Sequence, residues 1–374
     1  MELMIEANFP IFTRKPIMKP GVPVIKRMVK PIVAVVISLW FTSIVAAGES
    51  KAMVARIIDE GLFVEVNGLE QWVVMRGTAA ENPALLIISG PGVALSPIAP
   101  FFEAWEQHFT LVFWDQPWSG ATHALNPDGQ GTLAIDRLVA DGIAVAGFAK
   151  ARLNKKKILV LGISAGSIIG LEMMQQQPEY FLAYVGTGQF IDWATQDALG
   201  YALLLEKAKR EANAAAEQEL LEIGKPPYAD AATDAIKSNY HSALTEAEMR
   251  EFPVFSNLMV EALSNPSADA NYLAQGLPLS NPRELAMQAY VALREELVSF
   301  NAYELEADFA MPVLFLQGAE DYYSVTSEVQ KYTSEINAPM KNTVVIEGGS
   351  HSVFWLRERF LAELNQHLGP LLID

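Results

Sequence analysis

The 374-residue chain contains no cysteine, which excludes disulfides, thiolate metal sites, a cysteine nucleophile and a lipidated cysteine anchor. Basic residues are scarce, 27 Lys and Arg against 44 Asp and Glu, and the net charge of −17 would repel a polyphosphate backbone. Nucleic acid is therefore not an expected partner. Charged residues make up only 19% of the chain and hydrophobic ones 51%, too apolar a balance for disorder. Histidine is also rare, five in all, so a proton-accepting imidazole has few places to come from. What is present is enough apolar chain for one large core, or a core with one insertion.

Residues 1–47 differ from the rest. Arg14, Lys15, Lys19, Lys26, Arg27 and Lys30 stand against only Glu2 and Glu6, and an uncharged apolar run follows from Ile32 to Ala47. It ends at Val45 and Ala47, before a polar stretch at Gly48–Lys51, which is the layout of an export signal cleaved near Ala47. Met18 and Met28 are alternative starts. The run is just short of the length that spans a bilayer comfortably, so the competing reading is a retained anchor. Only that anchor would give the protein a membrane partner; the export reading predicts a periplasmic or secreted protein.

From Gly61, LFVEV and WVVM read as two strands joined by a hairpin turn at Asn67-Gly68. The runs 84–89, 111–114, 158–162, 183–186, 313–318 and 343–348 are apolar throughout, as strands of a parallel sheet covered on both faces are. Helical stretches Ala134–Leu153, Ser167–Gln177 and Phe354–Leu368 alternate with them, predicting a doubly wound α/β core. About 120 residues between Gly186 and Pro312 lack a strand, too long for an ordinary connection. They read as an inserted helical cap, most helical over Asp197–Ile223. The expected division is a leader or anchor at 1–47, core at 48–188, cap at 189–310 and core again at 311–374.

Gly162-Ile163-Ser164-Ala165-Gly166 follows an apolar strand and opens a helix, the context a nucleophile elbow requires, and it singles out Ser164. A serine hydroxyl needs a base, and the base an orienting carboxylate. His108, His123, His241 and His367 lie before a strand, in a loop, in the cap and near the chain end. His351 lies in the glycine-bearing loop after the last strand, from which a side chain reaches back over the sheet. The acid is expected at the end of the preceding strand, at Asp321, with Glu320 as the alternative; a carboxylate there could equally cap the helix starting near Ser324. For an oxyanion hole, the Ala165 N–H is one donor by position, and the loop Ser89-Gly90-Pro91-Gly92-Val93 supplies the second at Gly90, with Gly92 or Val93 as alternatives.

With these elements in order, the sequence from about Gly61 to Leu368 resembles the proline iminopeptidase family of α/β-hydrolases. The matching elements are Ile88-Ser89-Gly90-Pro91-Gly92, Asp115-Gln116-Pro117-Trp118-Ser119-Gly120, Gly162-Ile163-Ser164-Ala165-Gly166, Asp321 and His351. Tyr184–Gln189 and Lys225–Tyr228 are similar to its aminopeptidase-like branch. The first loop lacks the family's His and first Gly, Pro117 stands where it has Arg, and Ala165 where it usually has Trp. The resemblance thus implies the triad with a reshaped, larger pocket beside it, and does not imply preference for an N-terminal proline. In that family cap glutamates recognise the substrate's free amine; Glu206, Glu211, Glu217, Glu219 and Glu222 lie in the cap here, and none is singled out for that role.

The function predicted is that of an exported serine hydrolase acting on a small-molecule or short-peptide substrate, a peptide, amide or aminoacyl derivative, through an acyl-enzyme on Ser164. The alternatives are an esterase or lactonase with the same triad, or a non-catalytic binding protein on the same fold. Serine rather than aspartate in the elbow disfavours dehalogenase and epoxide hydrolase chemistry. No metal or organic cofactor is implied.

Overall fold

A computed structural model describes residues 57–241, 244–257 and 282–371; the expected leader at 1–47 lies outside the described residues. The chain enters the sheet as a hairpin, β1 (Ile58–Val66) and β2 (Leu69–Gly77), paired antiparallel from Ile58↔Gly77 to Val66↔Leu69. Its two-residue turn works because Asn67 and Gly68 both accept positive φ, 49° and 86°. The remaining strands are β3 (Ala84–Ile88), β4 (Thr110–Asp115), β5 (Ile158–Ile163), β6 (Phe181–Thr187), β7 (Val313–Gly318) and β8 (Lys341–Ile346). They make one eight-stranded sheet in the order β1-β2-β4-β3-β5-β6-β7-β8. β2 meets β4 antiparallel and every later pairing is parallel.

The apolar runs are explained by two cores, one on each face. Along a strand, alternate side chains go to opposite sides. Leu86, Ile88, Val112, Trp114, Val160 and Phe315 enter one core, whereas Leu85, Ile87, Phe113, Leu159, Leu161 and Leu316 enter the other. The helices are α1 (Gly120–Leu125), α2 (Ile135–Arg152), α3 (Gly166–Gln176), α4 (Trp193–Arg210), α5 (Ala214–Ile223), α6 (Ala231–His241), α7 (Glu246–Met249), α8 (Pro282–Ser299), α9 (Thr326–Glu335) and α10 (Arg357–Leu368). The first core is closed by Leu138 and Val145 of α2, Ile169 and Met173 of α3 and Leu293 of α8. The second is closed by Phe102 and Trp105 of a 3-10 segment at Ser96–Gln107 and by Phe360 and Leu364 of α10. These are the two covered faces of a doubly wound α/β sheet.

Helices α4 to α8 stand between β6 and β7, and α4 and α5 share a small core of their own around Tyr201, Leu204 and Leu220. The stretch Asp197–Ile223 is two helices rather than one. Ala212 takes φ 52°, and Asn213 caps the second helix by accepting the Ala216 N–H at 3.2 Å. At the C-terminal side, α9 begins at Thr326 and α10 at Arg357, slightly later than the expected starts near Ser324 and at Phe354. Among the described residues no helix is long and apolar enough to cross a membrane.

Candidate active site

The functional side chains gather at the carboxyl ends of β5, β7 and β8, where loops leave a parallel sheet. Ser164 sits between β5 and α3 with φ 54°, an uncommon conformation for a residue with a side chain, which holds the hydroxyl proud of the sheet. Its N–H donates to the Thr187 carbonyl at 2.9 Å and its carbonyl accepts the Ser167 N–H at 2.8 Å, so the main chain is tied on both sides of the turn. The flanking glycines are required by space. A side-chain carbon at Gly166 would lie 2.3 Å from the Ile88 carbonyl oxygen, and one at Gly162 would lie 2.8 Å from the Ser167 Cα.

His351 reaches back from the loop after β8. Its Nε2 is 2.8 Å from Ser164 Oγ, and its Nδ1 is 3.1 and 3.2 Å from the two carboxylate oxygens of Asp321. The ring lies over Gly188, which ends the strand-to-cap turn after β6; a side-chain carbon there would come within 2.9 Å of His351 Cε1. Asp321 is buried and also accepts the N–H groups of Tyr323 and Ser324, both at 2.9 Å, and the Ser324 hydroxyl at 2.6 Å. Burial works to raise the pKa of this carboxyl. The charge and hydrogen bond of His351, with the bonds from Ser324 and Tyr323, outweigh burial and hold it below the ordinary carboxylate range. Asp321 thus caps the turn before α9 and faces the imidazole with the same carboxylate. Glu320 points elsewhere: it is partly exposed and lies 3.6 Å from the Lys207 ammonium.

Gly90 and Ala165 are neighbours in space, since a side-chain carbon at Gly90 would lie 3.9 Å from the Ala165 nitrogen. Among the described residues no acceptor bonds either N–H. The Val93 amide, an alternative donor, is occupied by the Gly90 carbonyl at 3.1 Å, and Gly92 backs onto α8. Two backbone donors beside a serine hydroxyl that is itself bonded to an imidazole can polarise a carbonyl, stabilise the oxyanion formed on attack and pass a proton to a leaving group.

His241, at the end of α6, stacks on Tyr323 with ring centroids 3.9 Å apart, and Tyr323 in turn lies 5.0 Å from the His351 ring. Burial, then the nearby Lys237 and His351, keep His241 well below the usual histidine pKa, so it is neutral there. His123 lies in α1 and bonds Gln130 at 2.7 Å, while His367 faces Glu363 at 3.6 Å.

Three contributors escaped the sequence reading. Gln116 is buried and donates to the Ser89 carbonyl at 2.8 Å, steadying the residue before Gly90. Ser324 touches both Asp321 and, at 3.2 Å, His351 Nδ1. Glu248 reaches from α7 to the residue before His351. Gln116 stands beside Asp115 in a loop already notable in the sequence. Thr245 and Glu248 carry the spacing of a capping box, but nothing local says that Glu248 also bonds a loop far along the chain.

A mostly parallel sheet, a serine on the tight turn after a central strand and a histidine after the last strand define a hydrolase of the α/β class. The chain belongs to the alpha/beta hydrolase fold family, whose pattern matches residues 83–358. It is 24% identical over 296 residues to a probable aminopeptidase, YbaC, of Bacillus subtilis (strain 168), covering 77% of this chain and 89% of the relative. The crystal structure of a proline iminopeptidase-related protein from Thermus thermophilus superposes with a TM-score of 0.57 at 20% identity, over 84% of this chain and 98% of that one. A proline iminopeptidase from Mycobacterium smegmatis gives 0.51 at 17% identity, covering 84% and 99%. A thermophilic esterase from Thermogutta terrifontis also gives 0.51 at 17%, covering 85% and 99%. At these identities the solved structures share the fold.

Proposed function

We propose that this hydrolase cleaves small peptide, amide or aminoacyl substrates through an acyl-enzyme on Ser164. The observation that carries the reading is the continuous line from Ser164 Oγ through the His351 ring to Asp321, with contacts of 2.8 and 3.1 Å. His351 takes the serine proton as Oγ attacks the substrate carbonyl carbon. The oxyanion forms beside the N–H groups of Ala165 and Gly90, and the tetrahedral species collapses as His351 returns the proton to the leaving nitrogen or oxygen. Water then adds to the ester by the same route, releasing the acid and restoring the serine. Asp321 holds the imidazole and stabilises its charged form. In Ser164→Ala, turnover should fall by about a million-fold in a still folded protein, and a fluorophosphonate probe should label the wild-type serine only. Labelling at another residue would remove Ser164 from the mechanism.

The aminopeptidase-like reading requires a carboxylate for the substrate's free amine, and a second reading has an observation in its favour. Several carboxylates on or facing the cap already have partners: Asp197 with Lys237, Asp234 with Arg294 and the Tyr290 hydroxyl, Glu320 with Lys207, and Glu248 with Ser350 and Thr245. A substrate ammonium bound at one of these would have to displace its present partner, whereas an ester or lactone needs no carboxylate. Rates on aminoacyl-arylamides, their N-acetylated counterparts and short-chain esters separate the two. Dependence on a cap carboxylate predicts that acetylation costs about 2–5 kcal/mol of transition-state binding. Equal rates on free and acetylated substrates, with esters preferred, would favour the esterase.

The apolar run Ile32–Ala47 behind its basic flank supports export. Material produced with its own leader is expected to begin near Gly48 and to be recovered outside the cytoplasm. An intact start in the membrane fraction would indicate an anchor.

A further inference from the structure

The loop that carries His351 is gripped from the cap side. Glu248, on the one-turn helix α7, is fully buried. Its Oε1 accepts the Ser350 N–H at 2.7 Å, and its Oε2 accepts the Ser350 hydroxyl at 2.7 Å and the Thr245 N–H at 2.9 Å. Thr245 Oγ1 donates to the Gly348 carbonyl at 2.6 Å, so the same turn of cap binds the loop at a second point. Among the described residues no cation pairs with Glu248. A carboxylate removed from water without a counter-charge is costly unless donors converge on it, and here three do. Their placement is not random with respect to the chemistry. Ser350 is the residue before His351, and the Ser350 hydroxyl passes the restraint on by accepting the Ser352 N–H at 3.2 Å on the far side of it.

During turnover the His351 imidazole has to keep Asp321 on one nitrogen while the other moves between serine and leaving group. Its Cα must therefore hold still within a fraction of an ångström. Asp321 orients the ring. Beyond Gly348, which takes φ 77°, the main chain is tied at Gly349, whose N–H donates to the Ile346 carbonyl of β8 at 3.2 Å and whose carbonyl accepts the Glu320 N–H at 2.9 Å. At Ser350, the residue next to the base, the hold comes from Glu248. We infer that Glu248 is a positioning residue for His351: through Ser350 it sets the main chain that carries the base, and so makes triad geometry depend on the docking of α7. The inference rests on the reading of His351 as that base.

Glu248→Gln tests it. The amide keeps the shape and one acceptor but places an NH2 opposite donors. The Ser350 hydroxyl can reverse its bond, whereas the N–H of Ser350 or of Thr245 is left unmatched. The readouts are kcat and KM on a chromogenic acetate ester and the rate of fluorophosphonate labelling at Ser164, with thermal unfolding to establish the folded fraction. The expected result is that kcat and labelling rate both fall by about ten- to a hundredfold while KM stays within about threefold. Thr245→Val, which retains the Thr245 N–H on Glu248 but removes the Thr245 hydroxyl's bonds to the Gly348 carbonyl and from the Glu248 N–H, should lower kcat in the same direction by less. It keeps the question open to measurement if Glu248→Gln does not fold. Unchanged kcat and labelling per folded molecule, even with a lowered melting temperature, would overturn the inference, as would a raised KM at unchanged kcat. Failure of the underlying reading looks different: full activity in His351→Ala, or a wild-type enzyme the probe does not label at Ser164.

Discussion

Glu320 and Asp321 are adjacent acids with opposite surroundings, and their difference is measurable. Asp321 is buried under Ser324 and His351 and is held ionised, whereas Glu320 faces Lys207 at the surface. Asp321→Asn should therefore lower kcat by about four orders of magnitude, because the imidazole loses both its orientation and its stabilising charge. Glu320→Gln should leave kcat nearly unchanged, a surface pair being of small value. Steady-state kinetics on the two variants gives the ranking, and the reverse order would transfer the acid to Glu320. Local spacing favoured Asp321 and kept Glu320 as the alternative. The distinction came from Ser324 and His351, which close on Asp321 only after β7 and β8 have paired.

At the level of elements, the site depends on how closely turns pack against strands. The elbow places Gly166 against the Ile88 and Ser89 carbonyls, and Gly188 lies under the His351 ring at φ 55°. Gly166→Ala drives a carbon into the main chain of β3 and the loop that follows, and is expected to cost stability first, read as a lowered melting temperature or insoluble product. Gly188→Ala meets the His351 ring at 2.9 Å and the His351 carbonyl at 3.1 Å, at a positive φ, so it disturbs the base directly and its effect should fall on catalysis as well as on stability. We expect kcat to drop about tenfold or more as the ring is pushed off Ser164, with a smaller loss in melting temperature. A variant with reduced stability and full kcat would mean that the ring tolerates the displacement. The alternation of each strand between two cores was readable from the runs of apolar residues, since a run with no polar break has to be covered on both sides. The break between α4 and α5 was not, because it rests on one residue at positive φ and one asparagine cap in an otherwise helix-favouring stretch.

For the whole molecule, the pH dependence of stability carries a signature of the last residue of β4. Asp115 is buried, its Oδ2 accepting the Ser96 hydroxyl at 2.8 Å and the Ala121 N–H at 2.9 Å, while its Oδ1 has no partner among the described residues. Burial pushes its pKa from 3.8 to about 6, against the opposing bonds. The folded chain thus keeps a proton that the unfolded chain releases. This group's contribution to stability is complete below about pH 4 and is lost as the pH rises through 6, leaving a cost of about 3 kcal/mol at neutral pH. Asp115→Asn retains an acceptor for Ser96 and Ala121 without the charge. Its melting temperature should exceed that of the wild type at pH 7–8, and its slope between pH 4 and 6 should be flatter. Asp321 acts with the opposite sign: its lowered pKa contributes stability above the ordinary carboxylate value and loses it as the pH falls.

The amino-acid order alone determined the α/β class, the hairpin at Asn67-Gly68, the serine on its glycine-flanked turn and the histidine after the last strand. Each of these is a matter of a few neighbouring residues: a period of apolar side chains, a turn that needs positive φ, a nucleophile between small residues. The sequence favoured Asp321 over Glu320 and Gly90 beside Ala165 while leaving alternatives open; what separates those pairs, together with the support of that loop by Gln116 and the hold of Glu248 on Ser350, lies in the tertiary structure. Those contacts join residues far apart in the chain, and their strength comes from burial, which no single segment possesses before the sheet and the cap have closed around it.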